Sequence, residues 1–242
     1  MRHAALIDRP DGASRVLLVC EHASNHFPTE FGTLGLDDTV RSAHVAWDIG
    51  ALGLARVLSG LLDATLVHAP VSRLLLDLNR PPHAPAAMPE RSEVFDIPGN
   101  RDLDPCTRAA RVDAIYLPFH QGLQRAITDR LARGTAPVLV SIHSFTPVYH
   151  GAQRTLEFGV IHDGDDRYAR ALLDGVSGMR AGLNEPYAPG DGVTHLMQLH
   201  SWPYALPHAM IEVRNDLIAD APAQNAMANR IAPALRAALG RL

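Results

Sequence analysis

Val16-Leu17-Leu18-Val19-Cys20 is an unbroken apolar run that stops at Glu21-His22 and is followed by Ser24, Asn25, His26 and the structure-ending Pro28. A short apolar run with such boundaries reads as a buried strand, and a chain that buries strands of this kind folds around a sheet. In α/β sheets, ligands bind just beyond the carboxyl ends of the strands. A Glu, two His and an Asn within the six residues from Glu21 to His26 are more metal and proton chemistry than a connection needs. This stretch is expected to form the first wall of an active site.

Other strands read out of the sequence in the same way. Thr65-Leu66-Val67-His68 is a second strand, Val138 to Ile142 the clearest central one, Leu156 to Ile161 another, and Ala209 to Arg214 the last. Between them the apolar spacing predicts a helix within Val40 to Leu62, with Asp48 inside it one turn after His44. It also predicts a long amphipathic segment from Thr107 to about Arg133 that Pro118 kinks or splits, a helix from Arg167 to about Leu173, and a final helix from Ala223 to Leu242. Asp37-Asp38-Thr39 marks a helix start, where acids are favoured. His83 to Pro105 is irregular and proline-rich, as a lid or binding loop is, and residues 181–195 are loop-like. Strands alternating with helices predict a single α/β domain over residues 1–242, with a mixed, mostly parallel sheet and helices on both faces.

Composition narrows the function. At 242 residues, 47% hydrophobic and 20% charged, the chain can bury a substantial core. A formal net charge of −4 gives no electrostatic reason to expect a nucleic-acid or anionic-membrane partner. All 22 basic residues are Arg. Without lysine, a Walker phosphate loop, Schiff-base catalysis and a Glu-Lys-Cys hydrolase are all excluded. The two cysteines, Cys20 and Cys106, build neither a zinc ribbon nor a disulfide framework. No apolar run approaches the length of a membrane span, and Asp8, Asp11 and Ser14 interrupt the first twenty residues. A cytoplasmic location is expected; the oligomeric state is not legible.

Three strand ends carry the chemistry: Cys20-Glu21-His22, Ser141-Ile142-His143-Ser144 and Ile211-Glu212-Val213-Arg214. Two histidines from different strands with a carboxylate are the usual ligands of a catalytic zinc that keeps one position open. His22 and His143, each directly after a buried run, are the histidines chosen from the 13 present. His26, His44 and His200 are candidates for supporting or substrate-contacting groups, whereas His3, His68, His83, His150 and His195 read as surface or loop residues. A separate carboxylate must move the proton of the attacking water to the leaving amine, and Glu212 suits that role. Asn79-Arg80 pairs an amide with a guanidinium, a clamp for a substrate carboxylate; the alternative is Arg80 paired with Asp77. Arg73 and Arg214 are further cations near strand ends, and together such arginines suit a small dianion.

The runs VCEHASNHFP, HVAWDIGA, SRLLLDLNRPP, SIHSFTPVYHG, NEPY and PHAMIEVRNDLI, in this order between residues 16 and 218, resemble those of the N-formylglutamate amidohydrolase family. That family is similar in fold to the zinc carboxypeptidases, and DLNR, IHS and IEVR are the local likenesses. The resemblance implies a phosphorylase/hydrolase-like α/β fold, one Zn2+ ion, and hydrolysis of N-formyl-L-glutamate or a related N-acyl acidic amino acid, as in histidine degradation. It implies that His143 binds zinc, that Glu212 is the catalytic carboxylate, that Asn79 and Arg80 hold the substrate carboxylate, and that Arg73 helps polarise the carbonyl. One departure stands out: where carboxypeptidases have His-x-x-Glu, this chain has His22-Ala23-Ser24-Asn25. The third ligand is therefore expected to be Asp48, with Glu21 as second choice because an extended strand would turn it away from His22. Two rival expectations are a metal-independent hydrolase using Cys20 and a non-catalytic binder of acidic small molecules.

Overall fold

The computed structural model describes residues 3–242. Its main sheet has seven strands: β1 (Leu6–Asp8), β2 (Val16–Cys20), β3 (Leu66–His68), β4 (Val138–Phe145), β5 (Phe158–Ile161), β6 (Ala181–Leu183) and β7 (His208–Arg214). They are ordered β1-β3-β2-β4-β7-β5-β6. The central strands β3, β2, β4 and β7 are mutually parallel, β1 and β5 run antiparallel to their inner neighbours, and β6 is parallel to β5. The mixed, mostly parallel α/β sheet is as expected. The three-residue edge strands β1 and β6 lie where the sequence suggested no strand.

Both faces of the sheet are covered, because residues alternate between them along each strand. On one face Val16, Leu18, Cys20, Val140, Ile142, Ile211 and Val213 pack beneath three helices. Those are α2 (Ala51–Leu62), α5 (Arg167–Asp174) and α6 (Ala221–Leu239). On the other, Leu17, Val19 and Leu139 meet Phe119, Leu123 and Ile127 of α4 (Leu117–Ala132), together with the buried segment Leu74 to Leu78. Ser141, His143 and Glu212 belong to this second face by alternation. The register of β4 against β7 sets Glu212 directly beside His143.

One helical expectation is corrected and another is met. Val40 to Leu62 is not one helix: α1 (Asp38–Ser42), capped by the Asp37 side chain on the Val40 N–H, ends at extended Ala43. The helix restarts only after Gly50, which sits at φ +81° with Ile218 O where a Cβ would be, at 2.2 Å. No other residue fits there, so Asp48 lies in a connection rather than on a helix. The long segment expected from Thr107 to about Arg133 is helical and split near Pro118: α3 (Pro105–Arg111) runs into a π-helical turn, Val112–Tyr116, before α4. Pro118 has no N–H to offer the Ala114 carbonyl, which accepts from the His3 N–H instead.

Candidate active site

Beyond the carboxyl ends of β2, β4 and β7 lies a cavity of about 590 Å³ lined by His22, Asp48, Arg73, Asp77, His143 and Glu212, among others. The Asp48 N–H donates to the His22 carbonyl at 2.9 Å, and the Ser144 hydroxyl donates to the Ile49 carbonyl at 2.8 Å. The loop carrying Asp48 is thereby fastened to the ends of β2 and β4. Its Oδ2 stands 2.8 Å from His143 Nδ1 and 3.4 Å from His22 Nδ1. One ligand atom from each of His22, Asp48 and His143 falls within 4.8 Å of the others, and all three residues are buried.

Each imidazole is gripped from behind by a further buried carboxylate. His22 Nε2 is 2.8 Å from Asp77 Oδ1, and His143 Nε2 is 3.0 Å from Glu21 Oε1. The Ser141 hydroxyl donates to Glu21 Oε2 at 2.7 Å. Arg73 donates to Asp77 Oδ2 through Nε and Nη2, at 3.1 and 2.6 Å, and to Asp48 Oδ1 through Nη1 at 3.2 Å. Burial alone would raise all three carboxyls, but His143 and Ser141 hold Glu21 below its usual range, the two imidazoles do the same for Asp48, and Arg73 with His22 for Asp77. Burial opposes charge on the imidazoles too, yet Glu21 and Asp48 drive His143 well up, and Asp77 and Asp48 raise His22.

This charge pattern tests whether the residues fit a cation. Three buried carboxylates, Glu21, Asp48 and Asp77, surround the two imidazoles, and the guanidinium of Arg73 pairs with Asp48 and Asp77. With both imidazoles neutral, as metal ligands must be, two negative charges remain, the charge a divalent ion carries; without an ion, protons on His22 and His143 balance them. Both nitrogens of His143 face carboxylates, so the ring either carries a second proton or gives one nitrogen to a cation. His22 Nδ1 is buried without a hydrogen-bond partner. With Nε2–H donated to Asp77, that lone pair is free to bind a metal, and a carboxylate behind a ligating imidazole is the usual support of such a site. The residues fit.

Glu212 is different. It is buried, its Oε2 has no partner, and burial with the repulsion of Asp48 pushes its carboxyl up to about 7 against the pull of His143. Room above it comes from Gly159 on β5, its neighbour in register. A Cβ at Gly159 would lie 1.9 Å from Glu185 O and 3.2 Å from Glu212 Cβ. The bare strand lets residues 184–187 cross over and place Tyr187 in the cavity wall.

The remaining expected site residues divide. Arg80 lines the cavity, donates to the Gly192 carbonyl and pairs with no carboxylate among the described residues, so its alternative partner Asp77 is spent on His22 and Arg73. Asn79 is turned to structure: its amide donates to Val193 O at 2.6 Å and its oxygen accepts the Leu196 N–H at 2.9 Å. Arg214 is not brought into the cavity; Asp216 and the carbonyls of residues 154–156 take its guanidinium. Asn25 donates to the Arg41 carbonyl, away from the histidines. His44 joins the cavity wall through Glu93, at 2.6 Å, whereas exposed His26 does not and His200 is bonded to His120. His68, expected at the surface, is buried. Cys20 points into the core beneath α2, its thiol pushed well up by burial, so it is no nucleophile.

Sequence reasoning missed Asp77 as a support for His22, and it missed Tyr187 and Arg154. Asp77 carried a signal, four residues after Arg73 in the same apolar stretch. Arg154 carried none.

An α/β sheet with paired imidazoles and a protonatable carboxyl at its strand ends, and a buried aspartate held against them, is an arrangement suited to cleaving an amide. The chain belongs to the N-formylglutamate amidohydrolase family, whose profile matches residues 14–219. It is similar to the gene product Atu2144 of Agrobacterium tumefaciens, with 49% identity and a TM-score of 0.96 over 98% of this chain and 95% of that one. It shares the fold of N-formylglutamate amidohydrolase from Ralstonia eutropha JMP134, with 18% identity and a TM-score of 0.71 over 99% and 98% of the two chains. No curated protein matches it. Among the described residues no helix is long and apolar enough to cross a membrane.

Proposed function

We propose that this chain is a cytoplasmic zinc enzyme that hydrolyses the formyl amide of N-formyl-L-glutamate, or of a related N-acyl acidic amino acid, to formate and L-glutamate, as in histidine degradation. Geometry and buried charge carry the assignment: His22, Asp48 and His143 converge with the Nδ1 of His22 unpartnered, and once the imidazoles are neutral the surrounding carboxylates leave two negative charges for a cation. These three residues would hold the ion. A zinc ion there supplies Lewis acidity, which makes water a nucleophile at neutral pH and polarises an amide carbonyl.

The chain's own residues do the rest. Asp77 and Glu21 fix the tautomers of His22 and His143 by accepting from Nε2. Arg73 ties Asp48 to Asp77 and keeps one edge toward the cavity, where it faces the substrate carbonyl. Glu212, with a carboxyl near 7, takes the proton of the attacking water and returns it to the departing amine nitrogen. Positive charge in the neighbouring cluster lowers that value and keeps Glu212 basic. Arg80 binds a substrate carboxylate, and Asn79 locks the backbone beneath it to residues 193–196.

The test is formate release from N-formyl-L-glutamate before and after chelation, with zinc then restored. Activity lost on chelation and regained with zinc is the expected outcome. Release that is indifferent to chelation overturns the metal, and its absence in folded, zinc-loaded protein overturns the substrate.

A further inference from the structure

Four guanidiniums line the cavity: Arg73, Arg80, Arg91 and Arg154. Asp48 and Asp77 neutralise Arg73, and Asp96 stands 3.4 Å from Arg91. Arg80 and Arg154 have no carboxylate within 4 Å among the described residues. Arg154 follows a two-stranded hairpin, Val148–Tyr149 with Ala152–Gln153, and its N–H donates to Pro147 O at 2.8 Å. Aromatic faces rather than an acid hold its guanidinium in place. The carbon Cζ lies 4.3 Å from the Tyr149 ring centroid, 5.1 Å from Tyr187 and 5.6 Å from Phe145.

A guanidinium over ring faces keeps its in-plane N–H groups free. Of the five donors an arginine carries, Arg154 uses one on the protein, to Tyr187 Oη at 3.1 Å. Burial and the charge of Glu212 push the Tyr187 phenol up to about 12, so it remains a donor as well. The cavity thus contains a preorganised, unneutralised fork beside a phenol, and that is the chemistry that binds a planar carboxylate in two places.

We propose that Arg154, with Tyr187, forms the subsite for the side-chain carboxylate of an acidic N-formyl amino acid, leaving Arg80 for the other carboxylate. This rests on the function proposed above and assigns its specificity to a residue on a hairpin rather than to a strand end. The substrate class is then an N-formyl amino dicarboxylate, and a neutral side chain of equal size is rejected because it leaves the guanidinium without its counter-charge.

The experiment compares N-formyl-L-glutamate with its neutral isostere N-formyl-L-glutamine, by kcat/KM and by calorimetric Kd, in wild type, Arg154→Met and Arg154→Lys. A charge-assisted pair is worth about a 10- to 150-fold preference for the acid in wild type. Arg154→Met should collapse that ratio to within about threefold, by weakening the acid far more than the amide, and Arg154→Lys should restore part of it. Equal losses on both ligands mean that Arg154 only supports the fold, and an unchanged ratio means the acid is read elsewhere; either overturns the proposal. Turnover and Kd separate the two claims. A wild type that binds the acid with an Arg154-dependent preference yet releases no formate overturns the reaction and keeps the subsite. Turnover with a ratio unmoved in Arg154→Met overturns the subsite alone.

Discussion

His22 Nε2 and Asp77 Oδ1 are 2.8 Å apart, both buried, and the second oxygen of Asp77 is taken by Arg73 at 2.6 Å. This pair decides which nitrogen of His22 is left to bind a cation. Replacing Asp77 with Asn keeps the size of the group but removes the charge that holds the proton on Nε2. Asp77→Asn is expected to weaken zinc binding by about 10- to 100-fold, measured by competition with a chromogenic chelator. Unchanged affinity would show that the orientation of His22 comes from elsewhere.

Glu212 separates chemistry from metal binding because its Oε2 has no partner and it is not among the three clustered residues that could hold an ion. Glu212→Gln is expected to lower kcat by about 10²- to 10⁴-fold while zinc content, measured by elemental analysis, stays at the wild-type level. Turnover retained in the variant would remove the proton-transfer role given to this carboxylate.

How much of this was legible beforehand depends on which force set each feature. The buried strands β2, β4 and β7 could be read because hydrophobic burial writes itself into consecutive residues, and with them came His22, His143 and Glu212 at their ends. Asp48 was expected as the third ligand where Asn25 replaces a carboxylate, but its setting inside a helix was misread. The helix break depends on the positive φ of Gly50 against Ile218, a contact 168 residues away in sequence. Arg214 was expected at the site as a cation near a strand end, and Asp216, in the turn that follows, captures it instead. Arg154 was invisible because the aromatic rings that hold it come from Phe145, Tyr149 and Tyr187, which only the tertiary fold brings together. The short edge strand Ala181–Leu183 has a glycine at its centre and too few residues for a pattern.

A second pair of histidines predicts acid sensitivity away from the active site. His120 Nε2 donates to Leu78 O at 3.1 Å, so its Nδ1 accepts from His200 Nε2–H at 2.8 Å, and both rings are buried. Burial lowers both, helped by His200 and then His195 at His120 and by His195 at His200; His200 falls to about 4 and His120 well below its usual value. In the unfolded chain both titrate near 6.5. Below that pH the unfolded state binds protons that the folded pair refuses, so stability is full above about 6.5 and falls as the pH drops toward 4. His200 alone accounts for on the order of 3 kcal/mol. Urea denaturation at pH 7.5, 6 and 5 should show a steeper acid loss for wild type than for His200→Gln, and equal slopes would assign the acid sensitivity to other groups.

Gly159 is the position where fold and site are hardest to separate. Its neighbour in register is Glu212, and a Cβ would meet Glu185 O at 1.9 Å, a backbone atom that cannot rotate aside. Gly159→Ala must therefore push residues 184–187 outward, and Tyr187 leaves the cavity wall with them. Overpacking of this kind costs about 1 to 3 kcal/mol, read as a lower urea midpoint. The displaced wall should cost more in function than in folding, since a shift of about 1 Å at a catalytic site is worth on the order of 10²-fold in rate. Gly190 is a suitable control because a Cβ there meets nothing within 4 Å, and Gly190→Ala should match wild type in both assays. If Gly159→Ala also keeps wild-type kcat/KM, the crossing of residues 184–187 over the bare strand is not what shapes the cavity around Glu212.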